Sequence, residues 1–464
     1  MKKNLNIIIL GLAALSLSSC KTLYGKYERP DVKTSGIVRD VASDTDTLAV
    51  KDTTTFANIP WRSVFTDPQL QSIIEKGLNN NVNLLNAALN VKMAEEQLKC
   101  AKLAFIPSLS FTPQGTIASW DGNAATKTYS LPVTASWTVD LFGNLLSQKR
   151  SAQMALLQLQ DYQVSVKTNL IANIANMYYT LLMLDKQVEL VNNMEGLTKD
   201  TWETMKVLKD TKIGYRGTSV QAAESNYYAV LTQKTDLMRQ IRETENSLSL
   251  LIGDQAHSIA RGKLETQSLP TTFSTGVGIQ LLNNRADVHA AEMNLAQCFY
   301  GIETARSKFY PSITISGTGA FTNSAGAGIV NPGKWLLSAV GSLVQPIFQN
   351  GRIIAGLKVA KMQYEQAYNT WQNTVLKAGS EVSNALVLYN YSDEKGKVEA
   401  KRIAVLEQNV EDTRKLMSEA GGSYLEVIQA QSSLLNVQLS KVADDFYKMQ
   451  AVVNLYYALG GGAK

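Results

Sequence analysis

Residues that commonly do chemistry in proteins are scarce in this chain. Its 464 residues include two histidines, His257 and His289, and three cysteines, Cys20, Cys100 and Cys298. The cysteines match no CxxC spacing, and two histidines are too few for a histidine-based catalytic centre or a zinc cage. No Ser-His-Asp, metal-binding or phosphate-loop pattern is visible. The formal net charge of +5 is too small and too scattered for a nucleic-acid binder. We therefore predict a protein that is not an enzyme, needs no cofactor or metal and binds no nucleic acid.

One cysteine stands where a known modification occurs. Residues 1–20 begin with two lysines before an apolar run from Ile7 to Leu15, which is typical of a signal peptide and too short for a stable membrane span. The segment ends in Leu17-Ser18-Ser19-Cys20, which resembles the bacterial lipobox. In such signals the chain is cut before the cysteine, which then carries three acyl chains, enough for stable attachment. We predict a signal peptide over 1–19 and lipid attachment at Cys20; the alternative is a chance cysteine in a cleaved leader.

The rest of the chain is suited to very long helices. Its ten prolines leave two stretches, 133–269 and 347–464, with none, and a proline inside a helix costs about 3 kcal/mol. About 70 helical residues after Asn144 would extend for about 105 Å. Apolar residues step by four and three, which predicts helices packed on helices in a left-handed supercoil; they are Leu170, Ile174, Met177, Leu181, Leu184, Val188 and Val191. The polar faces suit either a solvated exterior or the wall of a hollow assembly.

The sequence contains two copies of one unit. Phe105-Ile106-Pro107-Ser108 recurs as Phe309-Tyr310-Pro311-Ser312 at an offset of 204, and Val220-Gln221-Ala222 recurs as Val427-Ile428-Gln429 at 207. Such a steady offset indicates a duplication. The predicted organisation is an N-terminal segment 20–67; a first repeat 68–253 with a β-hairpin over 108–141 and long helices over 144–252; an inter-repeat segment 254–283; and a second repeat 284–464 with a hairpin over 312–348 and long helices over 350–459.

The predicted hairpins alternate in polarity. From Tyr129 to Leu141 every second residue is apolar and the residues between are mostly Ser and Thr. One apolar and one polar face suit either a soluble sandwich or a sheet between lipid and water. Four strands leave two open edges, which lipid does not tolerate, and small barrels need about eight strands. Strands that enter a membrane must therefore be pooled from several chains.

Motifs along most of the mature chain resemble one family. They are Tyr27-Glu28-Arg29-Pro30; Trp61, Phe65, Asp67, Pro68 and Leu70; Arg285-Ala286-Asp287-Val288-His289-Ala290-Ala291-Glu292; Gln345-Pro346-Ile347-Phe348; and Asn350-Gly351-Arg352. These motifs and their duplicated order are similar to the TolC-like outer membrane factors of tripartite efflux systems, in their lipoprotein branch. Ala286 and His289 depart from the family pattern, which has proline and arginine there.

The resemblance implies a mainly α fold with a membrane β-barrel. Three chains, each with four strands, would form a shared twelve-stranded barrel in the outer membrane, continuous with a long periplasmic α-barrel. An equatorial layer would come from parts of 31–70, 254–283 and the C-terminal end. The function implied is a passive exit duct for drugs or other small molecules, working with a periplasmic adaptor and an inner-membrane transporter of the RND type. The alternatives are a lipid-anchored periplasmic coiled-coil scaffold and a type I secretion duct.

In this family the turns between the long helices form the periplasmic aperture and meet the adaptor. The resemblance assigns candidate aperture residues at Glu426, Gln429 and Ser219, and the nearby charged residues Asp210 and Glu419 are further candidates. Candidate adaptor contacts are Gly217, Gly421, Gly422, Ser423 and Tyr424. Three Glu426 side chains around an axis would form an acidic, cation-attracting ring. The alternative is a solvated glutamate on a helix surface.

Overall fold

A computed structural model describes most of the chain. The described residues are 25–31, 37–38, 56–119, 121–211, 217–270, 285–325, 328–419 and 424–463. The predicted signal peptide and lipid site, Cys20, lie outside these ranges, as do Gly421, Gly422 and Ser423.

Helices make up most of the described residues. They are α1 (Trp61–Val64), α2 (Pro68–Asn80), α3 (Val82–Leu103), α4 (Asn144–Thr211), α5 (Gly217–Leu251), α6 (Ala286–Ser307), α7 (Arg352–Glu419) and α8 (Tyr424–Ala458). None of these helices is both long and apolar enough to cross a membrane.

The two halves of the chain contain helices of equal length. Helices α3 and α6 have 22 residues each, α4 and α7 have 68 each, and α5 and α8 have 35 each. The repeated sequence therefore folds into repeated elements, and positions in one half can be matched with positions in the other by counting from the start of each helix.

The described chain divides into two compact units. The first contains residues up to 32 together with 89–161 and 289–374, and the second contains 33–88, 162–288 and 375–464. The strands belong to the first unit, and the larger part of the long helices belongs to the second.

The first unit holds one antiparallel sheet. Its strands are β1 (Ser108–Phe111), β2 (Gln114–Ala118), β3 (Thr126–Val139), β4 (Ser312–Ala325) and β5 (Gly328–Val344). Both β1 and β2 pair with β3, which pairs with β4, which pairs with β5. The sheet is thus four strands wide. The predicted first strand is divided because Pro113 has no N–H to donate to the ladder.

The main core of the second unit joins residues that are distant in sequence. Trp61, Phe65 and Leu70 pack with Tyr178 of α4 and Tyr456 of α8, and Ile259 and Leu264 belong to the same cluster. Phe65 and Tyr456 meet edge to face, with ring centroids 6.0 Å apart. The segment around α1, the start of the inter-repeat segment and the C-terminal helix therefore share one core.

Candidate functional site

The register of the sheet places most of its large apolar side chains on one face. Phe111 lies opposite Val133, which lies opposite Gly319, which lies opposite Leu337. A parallel row contains Leu131, Phe321 and Trp335. Leu337 is 84% exposed and Trp335 is 78% exposed. Within the described chain this apolar face remains uncovered, so it is suited to contact an apolar environment.

The opposite face is lined mainly by Ser and Thr side chains, with Leu336 and Val340 of β5 among them. One row across β1, β3, β4 and β5 contains Ser110, Thr134, Thr318 and Ser338. The hydroxyls of Thr134 and Thr318 lie 3.0 Å apart and are hydrogen-bonded. An apolar face backed by a Ser/Thr face is the pattern of a transmembrane strand between lipid and water.

Aromatic side chains lie near both ends of the apolar face. At one end Phe321 contacts Trp335 with ring centroids 5.8 Å apart. At the other, Trp137 Nε1 donates to the carbonyl oxygen of Phe105 at 3.0 Å. Residues 131 and 137 are about 20 Å apart along an extended strand. This is close to the apolar band of about 25 Å, flanked by aromatic girdles, that outer membrane strands present to lipid.

Both lateral edges of the sheet are open within the described chain. No described strand pairs with the outer side of β5 or with the outer sides of β1 and β2. Unpaired backbone groups are costly in lipid, so an apolar sheet with two open edges needs partner strands from outside the chain.

The motif around Asp67 is a packing and capping device. Asp67 Oδ1 accepts from the Gln69 amide at 2.8 Å and caps α2. Asp67 Oδ2 accepts from Tyr178 Oη at 2.6 Å and from Gln267 Nε2 at 2.8 Å. Burial acts to raise the pKa of Asp67, but these hydrogen bonds outweigh burial and lower it. Trp61, Phe65 and Leu70 of the same motif are buried.

The motif at 27–30 contacts the motif at 285–292 in the first unit. Arg29 forms two hydrogen bonds with the carboxylate of Glu292, at 2.7 and 2.5 Å. The amide of Tyr27 donates to Tyr300 Oη at 3.4 Å, and Arg150 donates to the Gly25 carbonyl at 3.1 Å. The segment 25–31 is thus bound along α6 a few residues after the predicted lipid site.

Arg285 joins three elements of the second unit. Its guanidinium bonds Asp287 at 2.6 Å, Glu381 of α7 at 2.7 Å and the Ala458 carbonyl of α8 at 3.1 Å. The side chain is buried, which acts to lower its pKa, but the two carboxylates outweigh burial and raise it. The second part of the motif, His289, pairs with Asp161 at 2.6 Å in the first unit.

The ends of the long helices carry the predicted aperture residues. Glu426 and Gln429 lie on the exposed side of the first turns of α8, on either side of Val427, which is fully buried. Val427 packs in a small core with Met205 of α4 and Met417 of α7, against which Tyr424 also packs. Glu426 and Gln429 are therefore held outward by a fixed core.

The remaining aperture and adaptor candidates have different environments. Ser219, in the first turn of α5, is only 5% exposed, whereas Asp210 near the end of α4 is exposed. Gly217 is the first residue of α5, and Glu419 is the last residue of α7, with its side chain outside the described part of the chain. The structure thus brings Glu426 and Gln429 onto one surface but does not place Ser219 on it.

A groove runs between α4, α7 and α8 above these ends. It encloses about 610 Å³. Met194, Val410 and Met417 supply apolar lining, and charged side chains come from α7. Arg414 reaches across to Asp200 of α4 at 4.0 Å. The groove could receive a helix with an apolar stripe and charged flanks.

Among the described residues no group of three or more His, Cys, Asp or Glu side chains could hold a metal ion. Cys100 is exposed and Cys298 is half-buried, and both are free thiols. A buried group that sequence reasoning missed, Glu399 with Asp444, lies between α7 and α8. Acidic residues in a helix are usually predicted to be exposed, and Glu399 and Asp444 are buried only because α7 packs against α8.

Comparison with known proteins agrees with this geometry. The model of the outer membrane efflux protein family matches residues 73–254 and 278–461. The cation efflux system protein CusC of Escherichia coli O157:H7 is 25% identical, over 97% of each chain. The probable outer membrane lipoprotein SilC of Salmonella typhimurium is 23% identical, over 96% of each chain. The solved structure of the Neisseria gonorrhoeae outer membrane channel MtrE superposes with a TM-score of 0.82 at 22% identity, covering 95% of this chain and 98% of that one.

The chain belongs to the outer membrane efflux protein family. It has the TolC-like fold, and its described residues are mostly helical with an antiparallel sheet. It is an outer membrane component of an efflux system, where it acts as an exit duct.

Proposed function

We propose that three copies of this chain form a passive exit duct for the RND type of tripartite pump. The observation that carries the proposal is the sheet: apolar on one face, lined with Ser and Thr on the other, and open at both edges. Two copies would supply eight strands, whose barrel interior is filled by side chains. Three copies supply twelve strands, with the hydroxyl face around water and the apolar face toward lipid.

The long helices also support assembly with further copies. Tyr391, Val398 and Val405 of α7 are separated by seven residues each and are 66–69% exposed. Exposed apolar residues at seven-residue spacing are typical of a coiled-coil surface that packs against another helix. In a trimer these residues would pack against helices of a neighbouring copy.

The assembly is tested on the full, lipidated chain in detergent. Native mass spectrometry is expected to give three copies per complex, and a folded barrel should shift its gel migration on heating. Planar-bilayer recording is expected to show weak or intermittent conductance while the aperture is closed. A monomer confined to the inner membrane after fractionation would contradict the proposal. A lipid-anchored coiled-coil scaffold would show no heat-dependent shift and no conductance.

We propose that Cys20 carries the lipid anchor. The chain has the lipobox-like Leu17-Ser18-Ser19-Cys20, and the segment 25–31 that follows is bound along α6. Metabolic labelling with a fatty acid should mark the wild-type protein and leave Cys20→Ser unlabelled, with Cys100→Ser as the control that keeps its label.

We propose that a periplasmic adaptor docks at the helix ends, in the groove between α4, α7 and α8. Arg414 lies in that groove, while Arg402 is exposed on the same helix outside the groove lining. Arg414→Glu should weaken cross-linking to the adaptor in cells, and Arg402→Glu should leave it unchanged. Equal effects of both variants would exclude this groove as the docking site.

The proposed aperture contains Glu426 from each copy, near Gln429. Glu426→Ala should reduce the preference of the channel for cations in bilayer recordings, because three carboxylates near one axis attract cations. Glu394, exposed on α7, provides the control as Glu394→Ala. Unchanged ion selectivity in Glu426→Ala would exclude the acidic ring.

The exported compounds are proposed to be small molecules or ions. The relatives named above include a cation efflux protein, and a toluene efflux pump protein, TtgF of Pseudomonas putida, is 27% identical over 88% of this chain. Deletion of the gene followed by exposure to antibiotics, bile salts, dyes and metal salts is expected to reveal increased sensitivity to at least one class.

A further inference from the structure

Two buried carboxylates lie between the helices of the second repeat. Glu399 of α7 is 8% exposed and Asp444 of α8 is 3% exposed. Both approach one ammonium group: Lys395 Nζ lies 3.0 Å from Asp444 Oδ1 and 3.7 Å from Glu399 Oε1. Ser440 donates its hydroxyl to Glu399 Oε1 at 2.7 Å. One lysine can neutralise one of the two carboxylates but not both.

The other two oxygens of this pair have no conventional partner. Glu399 Oε2 and Asp444 Oδ2 are each buried with no hydrogen-bond donor among the described residues. A buried carboxylate oxygen without a donor is costly, and two ionised carboxylates side by side repel each other. A proton held between the two groups removes both penalties, since it turns one carboxylate into a donor toward the other.

The other charged groups near Glu399 and Asp444 are paired elsewhere and do not reach the two oxygens that lack a donor. The charged groups that act most strongly on Glu399 are Asp444 and Lys395. Lys441 of α8, whose ammonium lies beside Gly396 one turn before Glu399, is bound to Asp445. Asp393 is bound to Lys397 and Lys448. Between two and three turns before Asp444, Leu435 of α8 packs in an apolar cluster with side chains of α4 and α5. The charged side chains Glu195 of α4 and Lys234 of α5 are paired with each other. Burial and the neighbouring Asp444 carboxylate raise the pKa of Glu399.

The first repeat has an apolar pair at the matching positions. Helix α7 starts at 352 and α4 at 144, an offset of 208, so Glu399 corresponds to Val191. Helix α8 starts at 424 and α5 at 217, an offset of 207, so Asp444 corresponds to Leu237. Val191 and Leu237 are buried in the same hydrophobic cluster. The fold therefore accepts an ordinary apolar contact here, and the second repeat has an acid pair in its place.

We propose that Glu399 and Asp444 share one proton in the folded protein and form a pH-sensitive latch between α7 and α8. The shared proton joins the two helices as long as the pair holds it. When it is lost, two neighbouring negative charges face one lysine, and the helices separate more readily at this level. The first repeat, with Val191 and Leu237, has no such dependence.

The sign of the effect follows from linkage. A carboxyl whose pKa is higher in the closed arrangement of α7 and α8 than in the open one binds more protons when the helices are closed. The closed arrangement therefore loses stability as pH rises between the two pKa values. A single proton changes the closing equilibrium by at most about tenfold per pH unit.

Hydrogen exchange of the full-length, lipidated protein in detergent tests the latch. Protection factors, corrected for the intrinsic pH dependence of exchange, are compared at pH 5 and pH 8 for amides of residues 438–448 of α8. In the wild type we expect protection to fall as the pair loses its proton, by at most about tenfold per pH unit, while residues 231–241 of α5 change little. Glu399→Gln, which keeps a neutral donor, should abolish the fall, and Glu394→Gln on the exposed face should keep it.

Two further measurements keep the test decisive. Infrared spectroscopy at pH 6 should show a protonated-carboxyl band that is absent in Glu399→Gln; the absence of this band in the wild type would overturn the proposal. Equal pH dependence of protection in the wild type and Glu399→Gln would also overturn it. If Glu399→Gln does not assemble, Asp444→Asn gives the same comparison. The double variant Glu399→Val, Asp444→Leu reproduces the seam of the first repeat and should fold without the pH dependence.

Discussion

Arg29, in the segment after the predicted lipid site, binds Glu292 of α6 through two parallel hydrogen bonds of 2.7 and 2.5 Å. The Glu292 side chain is buried, whereas Arg29 is partly exposed. Bidentate pairing of a guanidinium with a carboxylate is specific in geometry, and a lysine does not reproduce it. This pair therefore fixes where the N-terminal segment lies, and with it the place from which a lipid chain on Cys20 would start.

Breaking this pair should release the N-terminal segment. Arg29→Ala leaves the buried Glu292 carboxylate without its cation, a penalty of about 1–3 kcal/mol, and Arg29→Lys should recover only part of it. Limited proteolysis is expected to cut residues 25–31 faster in Arg29→Ala than in the wild type. Lys26→Ala, also in this segment, provides the control. Equal cutting of Arg29→Ala and Lys26→Ala would show that the ion pair does not hold the segment.

Replacement of Asp67 should destabilise the second unit in a pH-dependent way. The pKa of Asp67 is lowered in the folded state, so its contribution is present above the ordinary Asp pKa of 3.8 and is lost as pH falls through the folded value. At neutral pH Asp67→Asn should cost about 1–3 kcal/mol, because the amide cannot accept from Tyr178 and Gln267 as a carboxylate does.

Thermal unfolding in detergent between pH 3 and pH 7 measures this effect. The difference between wild type and Asp67→Asn should be constant at pH 5 to 7 and shrink toward pH 3. Asp236→Asn, at an exposed position, should stay within about 0.5 kcal/mol of the wild type. A difference that does not shrink in acid would assign the effect to packing instead of charge.

The secondary structure was largely predictable because its signals are local. The absence of proline and the apolar period predict the long helices, and polarity alternation predicts β3. The division between β1 and β2 was missed, since it depends on Pro113 at one ladder position. Contacts across the chain were not predictable: nothing near Arg29 indicates that its partner is Glu292, 263 residues away.

The candidate site likewise contains features that the sequence predicts and features that only the fold creates. In β3 and β4 the two faces follow from strand alternation, whereas β5 departs from it with Leu336 and Val340 on the Ser/Thr face. The buried motif residues Trp61 and Phe65 are apolar. Glu399 and Asp444 could not be found from sequence, because acidic residues are common on helix surfaces and only the pairing of α7 with α8 buries them. Comparison of the two repeats at matched positions, where Val191 and Leu237 stand, is the signal that could have revealed them.

The pair His289 and Asp161 should stabilise the first unit most strongly in acid. The hydrogen bond that His289 Nδ1 donates to the Asp161 carboxylate raises the pKa of His289 above 6.5. The contribution is therefore fully present below 6.5 and is lost as pH rises through the folded value. His289→Gln should lower stability by about 0.2–1 kcal/mol at pH 6, since the histidine is partly exposed, and by less at pH 9. His257→Gln, an exposed histidine, serves as the control in the same unfolding series, and an equal loss at both pH values would exclude a charged pair.

The two faces of β5 should respond differently to charge. Leu337 lies on the apolar face opposite Gly319, and its neighbour Ser338 lies on the hydroxyl face opposite Thr318. Leu337→Lys should cost about 2–4 kcal/mol if this position meets the middle of the lipid layer, and should reduce the amount of heat-modifiable protein in the outer membrane. Ser338→Lys, one residue away in the same strand, should assemble normally and change only the ion selectivity in bilayer recordings. Because both variants introduce the same residue into the same strand, a difference between them can come only from the face on which it lies. If Ser338→Lys blocked assembly and Leu337→Lys did not, the lipid and water faces of the sheet would be reversed.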